Sequence, residues 1–356
     1  MKNTISAKQT AVIASIMIFS NKILTLPSLL YKYGKGDSLL ILLMMFLIEL
    51  GVLFIFFSLK QRFKTESLFK IISQNWGKAL AIIIYVVLIL YFFIKLLTSF
   101  NVNHIYFKMQ VYHNDQKSIF LFTSLIIIAL TTIGGFRPLC RTLQFFFIPI
   151  ITGLLFCLFI SFSNFSTTLQ LFETPVASFF EGAYKYCFAF GDFLFLFLIM
   201  DRIEYDKNQN KQILKYVLIS MAIMLVGYFL FFSIFQYTAF MHPNAVSDII
   251  VLSYEIFDIG RLDIIAVITV MLLTFCQLSM YAYVLSVLFT SIFPKMSKIY
   301  SVALIVVVFL ILYGFFTNSL DVVNYLTTTV MPIIAILLQY VLPLLTFTFK
   351  NKRRQT

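Results

Sequence analysis

The stretch IMIFSNKILTLPSLLYKY, residues 16–33, decides the fold of this chain. It begins as an apolar helix, is interrupted by Ser20, Asn21 and Lys22, and meets Pro27 about one turn later. A charged side chain near the centre of a bilayer is costly, so it persists mostly where it faces a polar cavity or a partner. The stretch therefore predicts a membrane helix that breaks in its middle and carries a ligand or signal site at the break.

The composition restricts the chain to membrane proteins. Of its 356 residues, 61% are hydrophobic and 12% are charged, which excludes a soluble globular class. Its apolar runs are about 20 residues long, as spanning helices require, whereas the strands of an outer-membrane barrel alternate over about ten residues. We therefore predict an all-α polytopic membrane protein embedded in the lipid bilayer.

Ten apolar runs have about the length that crosses the hydrocarbon core. They lie near residues 10–31, 38–59, 79–100, 118–134, 141–161, 178–200, 212–240, 262–290, 299–316 and 328–348. We predict ten transmembrane helices that form a single transmembrane domain over residues 1–356.

The basic residues indicate how the helices are oriented. Most of the 27 lysines and arginines lie before the first run, after the last, or in segments that follow an even-numbered run. Because basic residues are enriched on the cytoplasmic side, both termini are predicted in the cytoplasm. The net charge of +12 does not predict a nucleic-acid partner, since the basic residues do not form one patch with aromatic residues between them.

Ten helices divide into two sets of five, and an odd number of helices per set gives the sets opposite orientations. This is a 5+5 inverted repeat, in which helices 1 and 6 are predicted to be broken. The sixth run shows matching interruptions, because Gly191 and Asp192 lie within SFFEGAYKYCFAFGDFLFLFLIMDR, residues 178–202. At about 1.5 Å per residue, Lys22 lies roughly 18 Å and Asp192 roughly 21 Å from the end of its helix. Both are predicted near the membrane midplane.

Five residues at the two breaks are the candidate ligand-binding residues: Ser20, Asn21, Lys22, Gly191 and Asp192. A zwitterion such as an amino acid has charges complementary to Lys22 and Asp192, and the open ends of broken helices add N–H and carbonyl groups. Two alternatives stay open. In the first, Lys22 and Asp192 form a permanent ion pair that only fixes the helix register. In the second, the Lys22 ammonium takes the place of a coupling cation.

Other charged residues in the apolar runs give weaker signals. Glu49 and Lys95 are interpreted as lining a path or pairing in an interhelical contact. Glu181 and Lys185 are spaced i, i+4 and are predicted to pair on one helix face.

Two segments between the runs are predicted to have structure of their own. TESLFKIISQNWGK, residues 65–78, places apolar residues at i, i+4 and i+8, and predicts an amphipathic helix capped by Thr65 at its start and Gly77 at its end. This helix either lies on the membrane or packs on the floor of the bundle. On the outer side, residues 241–263 predict a short surface helix that covers the bundle.

The sequence shows no signature of an enzyme. It contains no HExxH, GxSxG or Walker A motif. Its four cysteines, Cys140, Cys157, Cys187 and Cys276, lack CxxC spacing and are interpreted as buried structural thiols. We predict no enzymatic activity, no cofactor and no metal.

Short motifs along the chain resemble those of a known family. They are ISAKQ at 5–9, ILTLP at 23–27, LFKIISQNWGK at 68–78, GGFRPLCRT at 134–142, FGD at 190–192 and GRLD at 260–263. Their order resembles the spore germination B subunits, amino-acid-permease-like members of the amino acid/polyamine/organocation superfamily, over nearly the whole chain. The chain departs from the family pattern where Ser20 and Asn21 replace a usual Gly-Thr pair and Asp192 replaces a usual Glu.

The resemblance implies a specific role. A member of this family is a membrane subunit of a nutrient germinant receptor in the inner membrane of a bacterial endospore. Its implied partners are a small nutrient such as an amino acid, a larger membrane subunit with soluble domains, and a lipoprotein subunit. Binding of the nutrient would then shift the bundle between conformations, which requires that the ligand bind one state better than the other.

Two other classes of function are alternatives to this role. A secondary transporter of amino acids or amines, coupled to H⁺ or Na⁺, requires the same broken helices and is the main alternative. An integral membrane transferase is disfavoured, because it would need an acidic or histidine cluster on a large outer loop, and the longest outer segment, residues 241–263, is short.

Overall fold

The protein is built almost entirely from helices. A computed structural model describes residues 4–111, 117–162, 172, 174–204, 207–257, 262–318 and 325–349. Within these ranges the β-structure consists of one isolated bridge between Ile5 and Ile203, which joins the segment before the first helix to the segment after the sixth run.

We number the α-helices of the described ranges in chain order. They are α1 (Ala7–Phe19), α2 (Leu26–Gly34), α3 (Ser38–Phe63), α4 (Leu68–Trp76), α5 (Lys78–Gln110), α6 (Lys117–Gly134), α7 (Phe136–Ser161), α8 (Val176–Tyr186), α9 (Leu194–Leu198), α10 (Lys207–Phe235), α11 (Ala245–Phe257), α12 (Asp263–Ile292), α13 (Lys298–Asn318) and α14 (Leu326–Phe347). Helix α14 contains two π-helical stretches, Leu326–Val330 and Ile336–Val341.

The first run is broken where the sequence predicts. Helix α1 begins at a capping box, in which Ser6 Oγ accepts from the Gln9 N–H and Gln9 Oε1 accepts from the Ser6 N–H. It ends at Phe19 and is followed by a 3₁₀ turn, Asn21–Ile23, before α2 begins with Pro27 in its first turn. Proline is favoured there because the first N–H groups of a helix have no intrahelical partner. We call residues 20–25 the first-run break.

The sixth run is broken as well. Helix α8 leads into a 3₁₀ turn, Cys187–Ala189, and then the chain extends at Phe190 and turns at Gly191 before the short helix α9. A further 3₁₀ turn, Met200–Arg202, ends the run. We call residues 187–193 the sixth-run break.

Among the described residues, seven helices are long and apolar enough to cross a membrane. They are Leu26–Phe63, Lys78–Gln110, Phe136–Ser161, Asn208–Met241, Asp263–Ile292, Lys298–Phe316 and Leu326–Phe347, and two shorter apolar helices are Ala7–Phe19 and Ile119–Gly134. The runs near 10–31 and 178–200 are each divided by a break, so their pieces fall short of a full span. A multi-pass helical membrane protein is therefore confirmed, while the exact ten-helix 5+5 repeat stays a prediction.

The packing of the helices brings the two breaks together. Helix α12 packs against α5, α6 and α7, and α1 packs against α7 and α10. On the other side of the break, α2 packs against α8 and α3, while α14 packs against α3. The two halves of the first run are therefore surrounded by other helices, and the polar groups of the break face protein rather than lipid.

Helix α4 packs on the bundle, which decides between the two placements predicted for it. Its residues Leu68, Ile71 and Ile72 are fully buried, and the ring of Trp76 lies 4.7 Å from that of Phe349, edge to face. The predicted cap at Thr65 is wrong. The helix begins at Leu68, and Ser67 Oγ accepts from the Lys70 N–H, because a capping oxygen must directly precede the first helical residue to reach that N–H.

The predicted outer helix is present as α11. Its first N–H, from Ala245, donates to the carbonyl of Leu24 at 3.2 Å, so this helix contacts the first-run break directly. Residues 258–261, which include part of the GRLD motif, lie outside the described part of the chain.

Replacing Ile72 with alanine tests the packing of α4. We expect the Ile72→Ala protein to lose about 2–5 kcal/mol of stability, because the substitution leaves a cavity in a buried contact. The matched control is Ile299→Ala, since Ile299 is 64% exposed at the start of α13. The midpoint of thermal unfolding in detergent should fall for Ile72→Ala and stay near wild type for Ile299→Ala. Equal midpoints would place α4 off the bundle.

Candidate ligand site at two helix breaks

A buried ion pair joins the two breaks. The Nζ atom of Lys22 lies 2.5 Å from each carboxylate oxygen of Asp192, and the two side chains are 1% and 4% exposed. The Lys22 ammonium also lies 5.4 Å from the centre of the Phe190 ring, within the range of a cation–π contact. The structure therefore brings together the two charges that the sequence placed at the midplane.

The same ammonium caps the end of α1. Lys22 Nζ donates to the carbonyl oxygens of Met17 and Ile18, both at 3.3 Å. These carbonyls lie in the last turn of α1, where the break removes their intrahelical partners and the helix dipole favours a positive charge. Asp192 and the two carbonyls thus use all three N–H donors of the ammonium. An ammonium held by one carboxylate and two carbonyls occupies the kind of oxygen-lined position that would suit a bound cation.

Other helices satisfy the backbone of the first-run break. The hydroxyl of Tyr228 on α10 donates to the carbonyl of Lys22 at 2.7 Å, and Ala245 of α11 donates to Leu24. Irregular backbone at membrane depth requires such partners, because the hydrocarbon core offers none. Hydrogen bonds from α10 and α11, together with the Lys22–Asp192 ion pair, therefore fix the shape of the first-run break.

Side chains from other helices bind both ends of one peptide group in the sixth-run break. The N–H of Gly191 donates to Glu49 Oε1 at 2.7 Å, while the carbonyl of Phe190 accepts from Lys95 Nζ and from Gln339 Nε2, the latter at 3.0 Å. In a trans peptide the N–H and the C=O point in opposite directions. Glu49 and Lys95 therefore bind opposite ends of the same peptide group, which lies directly before Asp192.

The four charges form one buried cluster. Lys22 pairs with Asp192, and Glu49 and Lys95 both bind the Phe190–Gly191 peptide group next to it. Glu49 is fully buried on α3. Two ammonium groups and two carboxylates give the cluster no formal net charge when all four are ionised. A zwitterionic ligand would leave this balance unchanged, whereas a ligand with a net charge would disturb it.

Two acceptor atoms beside the sixth-run break lack a partner among the described residues. They are Glu49 Oε2 and Gln339 Oε1, and both are buried. Because an unsatisfied buried acceptor costs free energy, these atoms indicate where a donor from a ligand or a water molecule is accommodated. Both side chains bind the sixth-run break, so such a donor would bind beside it.

The remaining predicted site residues are placed less centrally. Ser20 is buried at the C-terminal cap of α1, with φ 14° and ψ −144°. Asn21 begins the 3₁₀ turn, and its side chain lies outside the described part of the structure. Glu181 and Lys185 pair at 2.7 Å on α8, as their spacing predicts.

Sequence reasoning missed two residues of the site and underrated two others. Gln339 and Tyr228 bind the broken backbone but received no prediction. Gln339 was visible as a polar residue within the apolar run near 328–348, whereas Tyr228 is one of nineteen tyrosines and gives no signal of its own. Glu49 and Lys95 were identified as buried charges, but their shared partner is a backbone peptide group, which has no sequence signature.

Within the described ranges no group of three or more His, Cys, Asp or Glu side chains is arranged to hold a metal ion. The four cysteines are buried free thiols.

Replacing Gly191 with alanine tests the geometry of the sixth-run break. Gly191 has φ 83°, and a Cβ there would lie 2.4 Å from Gln339. We expect Gly191→Ala to lower the midpoint of thermal unfolding, because the left-handed conformation costs about 1–2 kcal/mol for a residue with a side chain and the clash adds to it. Gly51→Ala on α3 is the matched control, since its Cβ meets nothing within 4 Å. A Gly191→Ala protein as stable as Gly51→Ala would contradict this geometry.

A double-mutant cycle tests the buried ion pair. Removing one charge leaves the other buried and uncompensated, so Lys22→Gln and Asp192→Asn should each cost about 3–5 kcal/mol. The double variant should lose clearly less than the sum of the two, because no charge is then left unpaired. The partly exposed pair on α8 is the control: Glu181→Gln and Lys185→Gln should have small, nearly additive effects on thermal unfolding. Additive losses at Lys22 and Asp192 would show that the pair contributes no coupling.

Comparison with known proteins supports the fold and identifies the family. The structure is similar to that of a Na⁺-coupled sialic acid symporter in a substrate-bound, outward-open state, with a TM-score of 0.59 over 93% of this chain and 79% of that chain. The sequence identity is 13%, so this likeness shows a transporter-like fold alone. No curated protein matches the sequence. The family model described as "Spore germination protein" matches residues 4–321. The chain therefore belongs to the spore germination permease family.

Proposed function

We propose that this chain is the nutrient-binding membrane subunit of a germinant receptor and that it triggers spore germination when a small nutrient binds. The observation that carries the proposal is the Lys22–Asp192 pair, buried at the junction of two broken helices. Membership in the spore germination permease family supports a nutrient-sensing or transport role. The broken helices supply the polar centre that either role requires.

The ligand that best suits this centre is a zwitterion such as an amino acid. Its carboxylate would bind Lys22, and its ammonium would bind Asp192 with help from the unpartnered oxygen of Glu49. Lys22 and Asp192 are in direct contact, so the ligand must insert between them. The interactions lost from the pair are then replaced by interactions with the ligand, and the cluster keeps its neutral balance.

Insertion of a ligand provides a means of signalling. Lys22 lies between α1 and α2, and Asp192 lies between α8 and α9, so separating the two side chains moves the pieces of both broken helices. A ligand shifts a conformational equilibrium only by its difference in affinity for the two states. Here that difference comes from the ion pair, which is intact in one state and divided by the ligand in the other.

The second candidate function is secondary transport of an amino acid or amine coupled to H⁺ or Na⁺. The likeness to a Na⁺-coupled symporter favours it at the level of the fold. Against coupling to Na⁺, the Lys22 ammonium already binds the carboxylate and the two carbonyls that would suit a cation.

The proposal includes a membrane arrangement and partners. We place ten helices in the spore inner membrane as a 5+5 inverted repeat with both termini in the cytoplasm, in accord with the distribution of basic residues. The partners are a larger membrane subunit with soluble domains and a lipoprotein subunit, which would receive the conformational change.

Germination of mutant spores tests the receptor role. Spores that carry Lys22→Gln or Asp192→Asn should lose dipicolinate release in response to one nutrient among single amino acids, sugars and nucleosides, because the ligand loses a charged partner. Spores that carry Glu181→Gln or Lys185→Gln should respond as wild type, since this pair lies outside the cluster. Immunoblots of spore membranes establish that each variant is present.

Two outcomes would contradict the proposal. Normal germination of the Lys22→Gln and Asp192→Asn spores, with the proteins present, would exclude the pair from ligand binding. Normal germination of a deletion strain together with lost nutrient uptake in growing cells would assign the chain to transport.

A further inference from the structure

An apolar cavity lies beside the first-run break. It is lined by α7, α10, α11 and the first run, and its volume is about 50 Å³. Phe19 at the end of α1, Ile23 within the break and Tyr228 on α10 all line it. The cavity is thus separate from the charged cluster but shares the backbone of the first-run break with it.

The lining of the cavity is suited to hydrocarbon and not to water. Its two hydroxyl groups are already engaged: Ser161 donates to the carbonyl of Cys157 at 2.6 Å, and Tyr228 donates to the carbonyl of Lys22 at 2.7 Å. A water molecule in a buried site needs two to four polar partners, and cavities lined by apolar groups stay dry. An occupant of this cavity must therefore be apolar.

The cavity adjoins the face of the protein that contacts lipid. Leu158 of α7 and Gly227 of α10 line it and are half-buried, and a Cβ on Gly227 would lie 3.5 Å from Leu158. The neighbouring side chains Leu155 and Phe159 on α7 and Val226 on α10 are exposed. Because α7 and α10 are spanning helices, these exposed apolar side chains contact acyl chains, and the half-buried Leu158 and Gly227 form the edge of the cavity on the bilayer side.

We propose that a lipid acyl chain inserts between α7 and α10, fills this cavity and holds the first-run break in its present shape. The hydrophobic effect does not drive the insertion, because lipid tails are as apolar as the lining. The gain is dispersion: side chains that line an empty space lack partner atoms, and a methylene chain supplies them. The acyl chain would pack against Phe19, Ile23 and Tyr228, which lie in or beside the first-run break.

Photolabelling tests the position of the acyl chain directly. The full-length protein is reconstituted in vesicles of phosphatidylglycerol and phosphatidylcholine that carry a diazirine near the end of one acyl chain. After illumination, mass spectrometry should find the label on cavity-lining residues of α7 and α10, in addition to exposed residues such as Phe145 and Phe159. Label confined to exposed residues would overturn the proposal and leave only ordinary contact with the surrounding lipid.

A substitution that fills the edge of the cavity between Leu158 and Gly227 provides the matched test. Gly227→Leu should abolish labelling inside the cavity and keep the labelling of exposed residues. The control is Gly51→Leu on α3, where a Cβ meets nothing within 4 Å, and it should leave both kinds of labelling unchanged. Leu158→Phe is a second variant that fills the same edge from α7, in case Gly227→Leu does not fold.

Thermal unfolding gives a second, independent readout. A ligand that binds only the folded state raises the unfolding midpoint. Adding phosphatidylglycerol to the detergent-solubilised protein should raise the midpoint of wild type and Gly51→Leu, and should raise that of Gly227→Leu less. An equal rise in all three proteins would show that the lipid does not act through this cavity.

Discussion

The salt bridge between Lys22 and Asp192 joins two helix breaks that a bilayer would not tolerate separately. Each break exposes backbone groups and a charge at a depth where lipid offers neither hydrogen bonds nor counter-ions. Together the breaks satisfy each other: the carboxylate of one receives the ammonium of the other, and that ammonium also caps the end of α1. The arrangement of the surrounding helices follows, because each must shield this centre from lipid or supply one of its missing partners.

The partners of the broken backbone come from four different spanning helices. Glu49 on α3, Lys95 on α5 and Gln339 on α14 bind the Phe190–Gly191 peptide group, and Tyr228 on α10 binds the first-run break. A displacement at either break therefore changes the hydrogen bonds of helices that are distant along the chain. For the proposed receptor role, this is the physical basis on which binding of a small ligand at the centre would move helices that are far from it in the sequence.

Sequence reasoning located the centre of the site because charges inside apolar runs are conspicuous. Lys22 and Asp192 were predicted at the same depth, and the structure places them in contact. It did not identify Gln339 or Tyr228, since their role depends on helix packing and on backbone carbonyls that every residue possesses. The cap of α4 was misplaced by two residues because Thr65 and Ser67 both suit an N-cap and only the helix start distinguishes them. The count of spans is harder to predict from hydropathy, because a run that is broken in its middle has the composition of a span without its continuous helix.

The stability of the ion pair sets a requirement on any ligand of this site. Both charges are already paired and desolvated, so a ligand gains nothing from merely adding a charge to the cluster. The ligand must replace the direct Lys22–Asp192 contact with two new contacts of comparable strength. This requirement favours a molecule that carries a positive and a negative charge a short distance apart. Glu49 Oε2 and Gln339 Oε1 have no partner among the residues that the structure describes. They would reduce the cost of that exchange, because a donor that binds them satisfies acceptors that are unsatisfied while the pair is closed. For the proposed nutrient-binding role, the closed pair and the acceptors beside it therefore favour a zwitterion over simple cations and anions.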